Sequence, residues 1–258
     1  MTVALASPWN PRGEFSRFER LQPLLASAYS HLVITLPPQA DPEIVAVLEA
    51  MPQVKPIVTP QWPVGRYLAL KAALETGVDF IHYVDFDRLL RWSETRPDEW
   101  RQTVQIVTQH DYLVIGRTSQ AWATHPRALQ ETEAVSNSVF SNLLGQELDL
   151  SAGSKGFSRA AASAIIANAL PDRPMGADSE WTVLAHRTGF VVDMLRVDGL
   201  DWESADRYQT TAANGDAQKA AAARYDEDPA NWSMRVGVAA EIVEAGFAAL
   251  HRELIGEH

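Results

Sequence analysis

Short apolar strands and helices alternate through the first part of the chain, and this alternation constrains the fold more than any other feature of the sequence. Asp41 and Pro42 are typical of a helix start, and Gly77 is typical of a helix stop. Repeated to a fourth strand, this order implies a mostly parallel sheet with helices on both faces, whose ligands bind at the carboxyl ends of the strands. The predicted strands are 2–6, 31–36, 54–59 and 79–87, and the predicted helices between them are 18–28, 42–50 and 64–76.

The rest of the chain is less regular. Residues 151–159, which contain two glycines, are predicted as a loop leading into a helix, and residues 209–230 as a mobile, polar and alanine-rich segment. We expect one α/β domain in residues 1–200 and a helical extension packed on it in residues 201–258. Further helices are predicted at 96–109, 126–144, 160–170 and 178–188, and further strands at 111–115 and 190–197. The last helix carries an apolar stripe formed by Val236, Ala239, Val243, Phe247, Leu250 and Leu254.

The composition excludes several classes of protein. The formal net charge is −11 over 258 residues, whereas nucleic acids and anionic membranes recruit proteins through an excess of basic residues. The chain contains no cysteine, which excludes disulfides, thiolate catalysis and cysteine-ligated zinc. No apolar run approaches the ~18 residues of a transmembrane helix, and no signal-peptide pattern precedes the first strand. We therefore expect a cytoplasmic protein that binds no nucleic acid and has no integral membrane segment.

Two aspartates separated by one residue, Asp85 and Asp87, end the fourth predicted strand. Side chains alternate along a strand, so both carboxylates are predicted to point towards the same spot. Magnesium favours oxygen ligands and binds one or two carboxylates together with substrate phosphates. The pair therefore predicts a divalent cation bound with a nucleotide diphosphate. A second acidic triplet, 226–228, follows no strand, and we interpret it as a solvated charge cluster or a helix start.

The segment 65–87 resembles the core of GT-A glycosyltransferases, in particular the family 2-like group. In that family a helix with a basic or amide residue ends in glycine, and an acidic and aromatic strand then closes on the DxD motif. Here Arg66 and Lys71 are the basic residues of the helix, and the family's usual Arg-Asn pair is absent. The resemblance is one of pattern and order.

Two later segments extend the resemblance to about residues 1–198. Residues 176–181, Gly-Ala-Asp-Ser-Glu-Trp, are similar to the family's GEDxE segment, with Ala177 in place of its first acid. Asp178 then matches the residue that serves as general base in inverting members. Residues 151–159 are similar to the family's acceptor loop, in which small residues precede a Phe and a basic residue.

The resemblance implies a single Rossmann-related GT-A domain that moves a sugar from a nucleotide-diphosphate sugar donor to a small-molecule or glycan acceptor. Residues 1–90 would form the nucleotide-binding half and residues 110–200 the acceptor half. Asp85 and Asp87 would hold Mg²⁺ or Mn²⁺, and the catalytic candidates are Asp178 and Glu180. The expected nucleotide-binding residues are Ser7, Arg12, Arg66, Lys71 and Asp85, and the expected sugar- and acceptor-binding residues are Gly153, Lys155, Trp181 and Trp202.

Most of these assignments have a purely structural alternative. Asp178 is also a good helix cap, and Arg66 and Lys71 can lie on a solvated helix edge. Trp202 can pack in the core, and the glycines of residues 151–159 can be ordinary turn glycines. No histidine of the sequence fits plainly as a third metal ligand.

Three other functions compete with sugar transfer. Phosphatases of the haloacid dehalogenase type also place DxD at a strand end, with a later Lys that Lys155 would mimic, but their motif normally ends the first strand. A nucleotidyltransferase would want a Gly-rich, basic loop after the first strand, where residues 7–14 offer only Arg12 and Gly13. A binding protein for sugar nucleotides or carbohydrates would keep the sheet without the chemistry, and Ala177 is compatible with that alternative. The oligomeric state is not predicted.

Overall fold

Seven strands form a single mixed sheet within residues 1–255, the part of the chain that this computed structural model describes. In chain order the strands are β1 (Val3–Pro8), β2 (His31–Leu36), β3 (Val54–Val58), β4 (Phe80–Val84), β5 (Tyr112–Arg117), β6 (Ser154–Ser158) and β7 (Val192–Val197). They lie across the sheet in the order β3-β2-β1-β4-β6-β5-β7. All neighbours are parallel apart from the two pairs that β6 makes with β4 and β5. The predicted α/β fold with a mostly parallel sheet is therefore confirmed.

Eleven α-helices accompany the sheet over the described residues. They are α1 (Phe15–Ala26), α2 (Pro42–Ala50), α3 (Gly65–Leu74), α4 (Phe86–Thr95), α5 (Pro97–Val107), α6 (Ser119–Ala123), α7 (Arg127–Leu144), α8 (Arg159–Asn168), α9 (Ala177–Arg187), α10 (Gly215–Asp226) and α11 (Pro229–His251). The early helices begin and end at the predicted signals. The Asp41 carboxylate accepts a hydrogen bond from the backbone N of Glu43 at 2.9 Å, and Gly77 follows α3 with a φ of 80°.

Apolar side chains fill both faces of the sheet, because successive residues of a strand point to opposite sides. Ala4 and Ala6 of β1 belong to the core beneath α3, α8 and α9. Val3 and Leu5 of the same strand belong to the core beneath α1, α4 and α5. A parallel sheet buried on both faces leaves its strand ends as the accessible edge. The functional side chains are therefore expected at those ends.

The predicted strand at 79–87 is wrong beyond residue 84. Strand β4 ends at Val84, Asp85 occupies the N-cap position of α4, and Asp87 lies in the first turn of that helix. The helix forms here because Phe86 and Leu89 recur at helical spacing and are both fully buried. A carboxylate in the first turn is also favoured by the partial positive charge of the helix N-terminus. The alternation argument for the two aspartates therefore does not hold, although both still line the same cavity.

The loop predicted at 151–159 contains strand β6, which lies between β4 and β5 and is buried along its whole length. Gly153 precedes the strand with a φ of 69°, the left-handed conformation that glycine adopts most easily. Gly156 is not a turn glycine, because it lies within β6. A Cβ at Gly156 would approach a methyl carbon of Val107 to 2.8 Å, so its lack of a side chain lets α5 pack on the sheet.

The segment predicted as mobile, 209–230, contains the ordered helix α10. The Asn214 side chain caps this helix by accepting a hydrogen bond from the backbone N of Ala217 at 2.9 Å. The acidic triplet that follows spans the end of α10 and the start of α11, so the helix-start interpretation holds for Asp228. Asp226 accepts hydrogen bonds from the first backbone N–H groups of α7, and Asp228 caps α11.

Helix α11 packs against α7 and α9, but not through the whole predicted stripe. Ile242 and Ala245 are buried, whereas Val236 and Phe247 are 59% and 41% exposed. The stripe was misplaced because small residues, which carry little hydrophobic signal, form the contact. A Cβ at Gly246 would lie 2.2 Å from an atom of the Phe140 ring, so the helices approach closely only at glycine. The last three residues of the predicted extension lie outside the described part.

None of the helices within residues 1–255 combines the length and the apolarity needed to cross a bilayer.

The buried His82 makes the stability of the fold depend on pH. Its Nδ1 lies 2.7 Å from the Tyr29 hydroxyl and its Nε2 lies 3.0 Å from Ser154 Oγ. Burial lowers the pKa of His82 to about 3, whereas a histidine in an unfolded chain titrates near ~6.5. Between these two pH values the unfolded chain binds a proton that the folded chain does not. His82 therefore stabilises the fold above pH ~6.5, and this contribution is lost as the pH falls.

We expect the free energy of unfolding to fall less steeply with decreasing pH in His82→Asn than in the wild-type protein. From pH 7 to pH 5 the wild-type protein should lose about 2 kcal/mol more of its free energy of unfolding than His82→Asn does, at about 1.4 kcal/mol per pH unit below pH ~6.5. Urea denaturation at each pH measures this quantity. Gln102→Asn, at an exposed position of α5, is the control and should keep the wild-type slope, because it removes no titratable group. Equal slopes for His82→Asn and wild type would contradict the assignment.

Candidate active site

A cavity opens where the carboxyl ends of β1, β2 and β3 meet the start of α3. Trp9 and Arg12 come from the loop after β1, Thr35 and Thr59 from the ends of β2 and the loop after β3, and Arg66 from the first turn of α3. This is the edge of a parallel sheet at which ligands bind. The sequence placed its candidate site at the same edge.

The acidic residues that line the cavity come from two separate parts of the chain. Asp85 and Asp87 lie at the start of α4, and Glu203 and Arg207 lie in the loop after β7. Carboxylates and guanidinium groups therefore line the same cavity. Such a mixture suits a ligand that carries both phosphate groups and a bound cation.

Both carboxylate oxygens of Asp85 accept hydrogen bonds from the protein. Arg66 Nη2 donates to Oδ2 at 3.1 Å, and the Tyr83 hydroxyl donates to Oδ1 at 3.0 Å. Arg88 Nε lies 3.9 Å from Oδ2. A Cβ at Gly153 would approach that same oxygen to 2.7 Å, so glycine is needed at position 153 for Asp85 to sit here. Gly153 thus supports the site through its backbone.

Asp178 shares the guanidinium of Arg66 with Asp85. Arg66 Nη1 donates to Asp178 Oδ1 at 3.2 Å, and the fully buried Lys155 donates to the same oxygen at 3.1 Å. Burial by itself would raise the pKa of Asp178, but the charges of Lys155 and Arg66 outweigh it and lower that pKa. Asp178 lies within the first turn of α9 and makes no capping hydrogen bond, so the capping alternative is not realised.

Asp87 and Glu203 are the two acidic groups of the cavity that retain free oxygens. Asp87 accepts a hydrogen bond from the backbone N of Arg88 at 3.0 Å. Burial, the Glu203 carboxylate and the Asp85 carboxylate raise the pKa of Asp87 to about 7. Glu203 is buried, and its Oε2 has no hydrogen-bond partner within the described residues. The cavity therefore concentrates negative charge that a cation would neutralise.

Buried ion pairs hold the loop that carries Glu203. Arg91 of α4 binds Asp201 through two hydrogen bonds of 2.7 and 2.9 Å, and it reaches Asp206 at 2.8 Å. Arg17 of α1 donates to the other oxygen of Asp206 at 2.8 Å. This arrangement was not predicted from the sequence, because residues 85–87 were assigned to a strand and not to the start of α4. Once α4 is recognised, the spacing of Asp87, Arg88 and Arg91 on one helix is the signal that links the cavity to the loop.

Several predicted site residues lie outside the cavity. Lys71 is exposed on α3 and does not line it, and Ser7 is buried, with its hydroxyl donating to the backbone O of Val84. Glu180 lies 2.8 Å from Arg252, also away from the cavity. Helical spacing accounts for these two misplacements, since Lys71 and Glu180 project from other faces of the helices that carry Arg66 and Asp178.

The two predicted tryptophans are packing residues. Trp181 lies between the rings of Tyr83 and Phe157, at centroid distances of 5.2 and 5.9 Å. Trp202 is buried against Tyr225. Neither lines the cavity. Their indole rings complete the core beneath the site, which is the structural alternative considered for Trp202.

The acidic groups fit a divalent cation only together with a ligand. Among residues 1–255, no group of three or more His, Asp or Glu side chains is arranged to hold a metal ion. Asp87 offers a free oxygen, whereas both oxygens of Asp85 already accept hydrogen bonds. Magnesium commonly takes one or two carboxylates and completes its shell with substrate phosphates. The donor set fits that mode.

The buried pair of Asp178 and Lys155 is expected to stabilise the fold cooperatively. Asp178→Asn leaves Lys155 and Arg66 without their shared counter-charge, so we expect a loss of about 3 kcal/mol in the free energy of unfolding. The double variant Asp178→Asn with Lys155→Met should lose less than the sum of the two single variants, because no unpaired Lys charge remains buried. Urea denaturation of the four proteins measures the coupling. Losses that add within about 0.5 kcal/mol would mean that the two groups are independent.

Comparisons with known proteins agree with the predicted fold. No protein-family model matches the chain, and no curated protein sequence matches it. Glucosyl-3-phosphoglycerate synthase from Mycobacterium tuberculosis in complex with uridine diphosphate is similar, with a TM-score of 0.53 and 16% identity over 92% of this chain and 80% of that chain. A complex of that synthase with Mn²⁺, uridine diphosphate and phosphoglyceric acid gives a TM-score of 0.51 at 16% identity, over 92% and 78%.

A third structure of the synthase, with Mn²⁺, UDP-glucose and glycerol 3-phosphate, gives a TM-score of 0.50 at 16% identity, over 92% of this chain and 80% of that chain. Such low identities establish the fold and leave the activity to be argued from the site. The predicted resemblance is confirmed at that level: the chain has a GT-A-like fold.

Proposed function

We propose that this protein is a glycosyltransferase that moves a sugar from a nucleotide-diphosphate sugar to an acceptor hydroxyl with the help of Mg²⁺ or Mn²⁺. The observation that carries the proposal is the meeting of Asp87 with the guanidinium of Arg66 in one cavity at the carboxyl edge of a GT-A-like sheet. A metal-bound diphosphate requires a negatively charged side chain to bind the cation and a positively charged side chain to bind the phosphates. The UDP and Mn²⁺ bound by similar structures support the same ligand.

The nucleoside is expected at the end of the cavity formed by β2, β3 and the start of α3. Trp62 lies there in the cavity wall with half of its surface exposed. The hydroxyls of Thr35 and Thr59 are already bonded to the backbone O atoms of Gly65 and Leu36. Stacking on the indole ring is therefore the main contact available for a base from these side chains.

The diphosphate is expected between Arg66 and Asp87. Arg66 is fixed by Asp85 and Asp178, so its guanidinium is oriented before the ligand arrives. A divalent cation bound there would neutralise the charge that develops on the departing diphosphate. The residues of this chain then contribute orientation and charge balance.

Asp178 suits the role of an anchor better than that of a general base. A base works best when its pKa lies near the operating pH, whereas Lys155 and Arg66 lower the pKa of this carboxylate. Protonation of Asp178 would also break its ion pairs with Arg66 and Lys155. We therefore propose that Asp178 holds Arg66 and Lys155 in place.

An acceptor with an acidic group is the favoured class of acceptor. Arg12 and Arg207 form no ion pair within residues 1–255, although both line the cavity. An anionic acceptor would supply the missing counter-charge. Phosphoglyceric acid and glycerol 3-phosphate, which accompany the similar structures, belong to that chemical class.

Turnover tests the function directly. With phosphoglyceric acid or glycerol 3-phosphate supplied as the acceptor, we expect the protein to transfer the sugar of a UDP-, GDP- or ADP-sugar to the acceptor hydroxyl and release nucleoside diphosphate only when Mg²⁺ or Mn²⁺ is present. Asp87→Asn should lower this rate at least about a hundredfold, or about 2.7 kcal/mol of barrier. Asp216→Asn, at an exposed position of α10, is the matched control and should keep the wild-type rate. Binding of sugar nucleotides without turnover would instead identify a binding protein, and hydrolysis of simple phosphate esters would identify a phosphatase.

Trp62→Ala should weaken the binding of UDP about tenfold, because loss of one stacked base costs at least about 1.4 kcal/mol. Isothermal titration calorimetry measures the change. Trp62→Phe retains an aromatic face and should bind within about threefold of wild type. Equal affinities for Trp62→Ala and wild type would place the base elsewhere in the cavity.

A further inference from the structure

We propose that Glu203 is a ligand of the divalent cation and that it binds the cation jointly with Asp87. This inference rests on the proposed function for the nucleotide diphosphate that would complete the coordination shell. The resemblance to GT-A glycosyltransferases did not point to Glu203, because the residue lies in the loop after β7, beyond the segment that the resemblance covers.

The first observation is the state of the Glu203 carboxylate. The residue is only 8% exposed, and its Oε2 has no hydrogen-bond partner among residues 1–255. Its nearest cationic atom is Arg88 Nε, at 3.5 Å. Burying a carboxylate without satisfying its oxygens is costly. An unsatisfied buried oxygen in a cavity wall therefore indicates a group that a ligand is meant to complete.

The second observation is that Glu203 is held in position from both sides. On one side Trp202 is buried, and its backbone O accepts a hydrogen bond from Gln218 at 2.7 Å. On the other side Asp206 is bound by Arg17 and Arg91 at 2.8 Å each. The backbone around Glu203 is thus anchored to α1, α4 and α10. Such preorganisation is what a metal ligand requires and what a mobile surface acid lacks.

The third observation is that the acidic residues of the cavity differ in whether their oxygens are already hydrogen-bonded. Asp85 gives both of its oxygens to Arg66 and Tyr83, and Arg88 lies between Asp85 and Glu203. Asp87 and Glu203 remain as the two acids with free oxygens. Two carboxylates neutralise a divalent cation, and the phosphate oxygens of the nucleotide can fill the remaining positions.

Titration of Mn²⁺ in the presence of UDP, followed by electron paramagnetic resonance of the free ion, tests the inference without any measurement of turnover. Glu203→Gln keeps the size and the hydrogen-bonding ability of the side chain but removes its charge. We expect its Kd for Mn²⁺ to rise at least tenfold, with the unfolding midpoint of the metal-free protein within a few degrees of wild type. Glu49→Gln, at an exposed position of α2, is the control and should bind as wild type does.

Glu203→Asp provides a second variant in case Glu203→Gln is unfolded. It keeps the charge but shortens the side chain, so its Kd should lie between those of wild type and Glu203→Gln or, without the latter, above that of wild type. Wild-type affinity in a folded Glu203→Gln protein would overturn the inference, as would a wild-type protein that binds no Mn²⁺ with UDP. Glu203-dependent binding of Mn²⁺ in a protein without sugar turnover would uphold the site and reject the proposed function alone.

Discussion

The guanidinium of Arg66 is the interaction on which the rest of the site depends. It bonds Asp85 at the start of α4 and Asp178 in the first turn of α9, two helices that are far apart in the sequence. Lys155, which lies on β6 itself, completes the same network through Asp178. These buried charges are stabilising only as a set, because removal of one partner leaves another uncompensated. The cavity wall is therefore a single electrostatic unit rather than a collection of separate side chains.

The buried arginines of this strongly negative chain each form ion pairs that fix a particular part of the structure. Arg66 organises the cavity, Arg91 and Arg17 secure the loop after β7, and Arg117 binds Asp149 and Glu133 beneath α7. Each is paired with carboxylates from distant parts of the sequence. Pairs of this kind contribute little net stability compared with apolar packing, but they penalise any other arrangement of the same loops. They account for the order of irregular segments around the site.

Local sequence signals predicted the first half of the fold, because each early strand and helix carries its own apolar period and its own boundary residues. These local signals failed where a helix or strand is stabilised by contacts with residues distant in the sequence. The aromatic residues around Asp85 continue a strand pattern, and only the packing of Leu89 and its neighbours under the sheet reveals a helix. Strand β6 contains glycine, serine and a charged lysine, and Lys155 tolerates burial only because Asp178 lies 3.1 Å away. A local sequence pattern does not show that Asp178 will lie next to Lys155 in the fold.

The distinction between local sequence signals and distant contacts also applies to the residues of the site. Arg12, Arg66, Asp85 and Asp87 were predicted and all line one cavity, because each lies at or near a strand end whose position follows from the alternation. Glu203 and Arg207 were missed, because their loop has no periodicity and takes its place from ion pairs with α1 and α4. Glu180 and Trp181 were chosen from the segment similar to the family's GEDxE motif and Trp202 for its chemical type, and all three lie away from the cavity. The type of a residue, without its position in the fold, predicts a binding site poorly in a chain whose core contains many aromatic rings.

The antiparallel strand β6 also has a consequence for the order in which the chain can assemble. Strands β1 to β4 can pair as soon as they have been synthesised, but β5 touches that sheet only through β6, which is made about forty residues later. The edge of β4 that pairs with β6 therefore stays open during synthesis, and β5 has no sheet to join until residues 154–158 emerge. Pairings this distant in sequence form slowly and leave strand edges exposed. A nascent chain halted before β6 would present β4 as an unpaired edge, which makes this interval the one in which the protein most needs protection from aggregation.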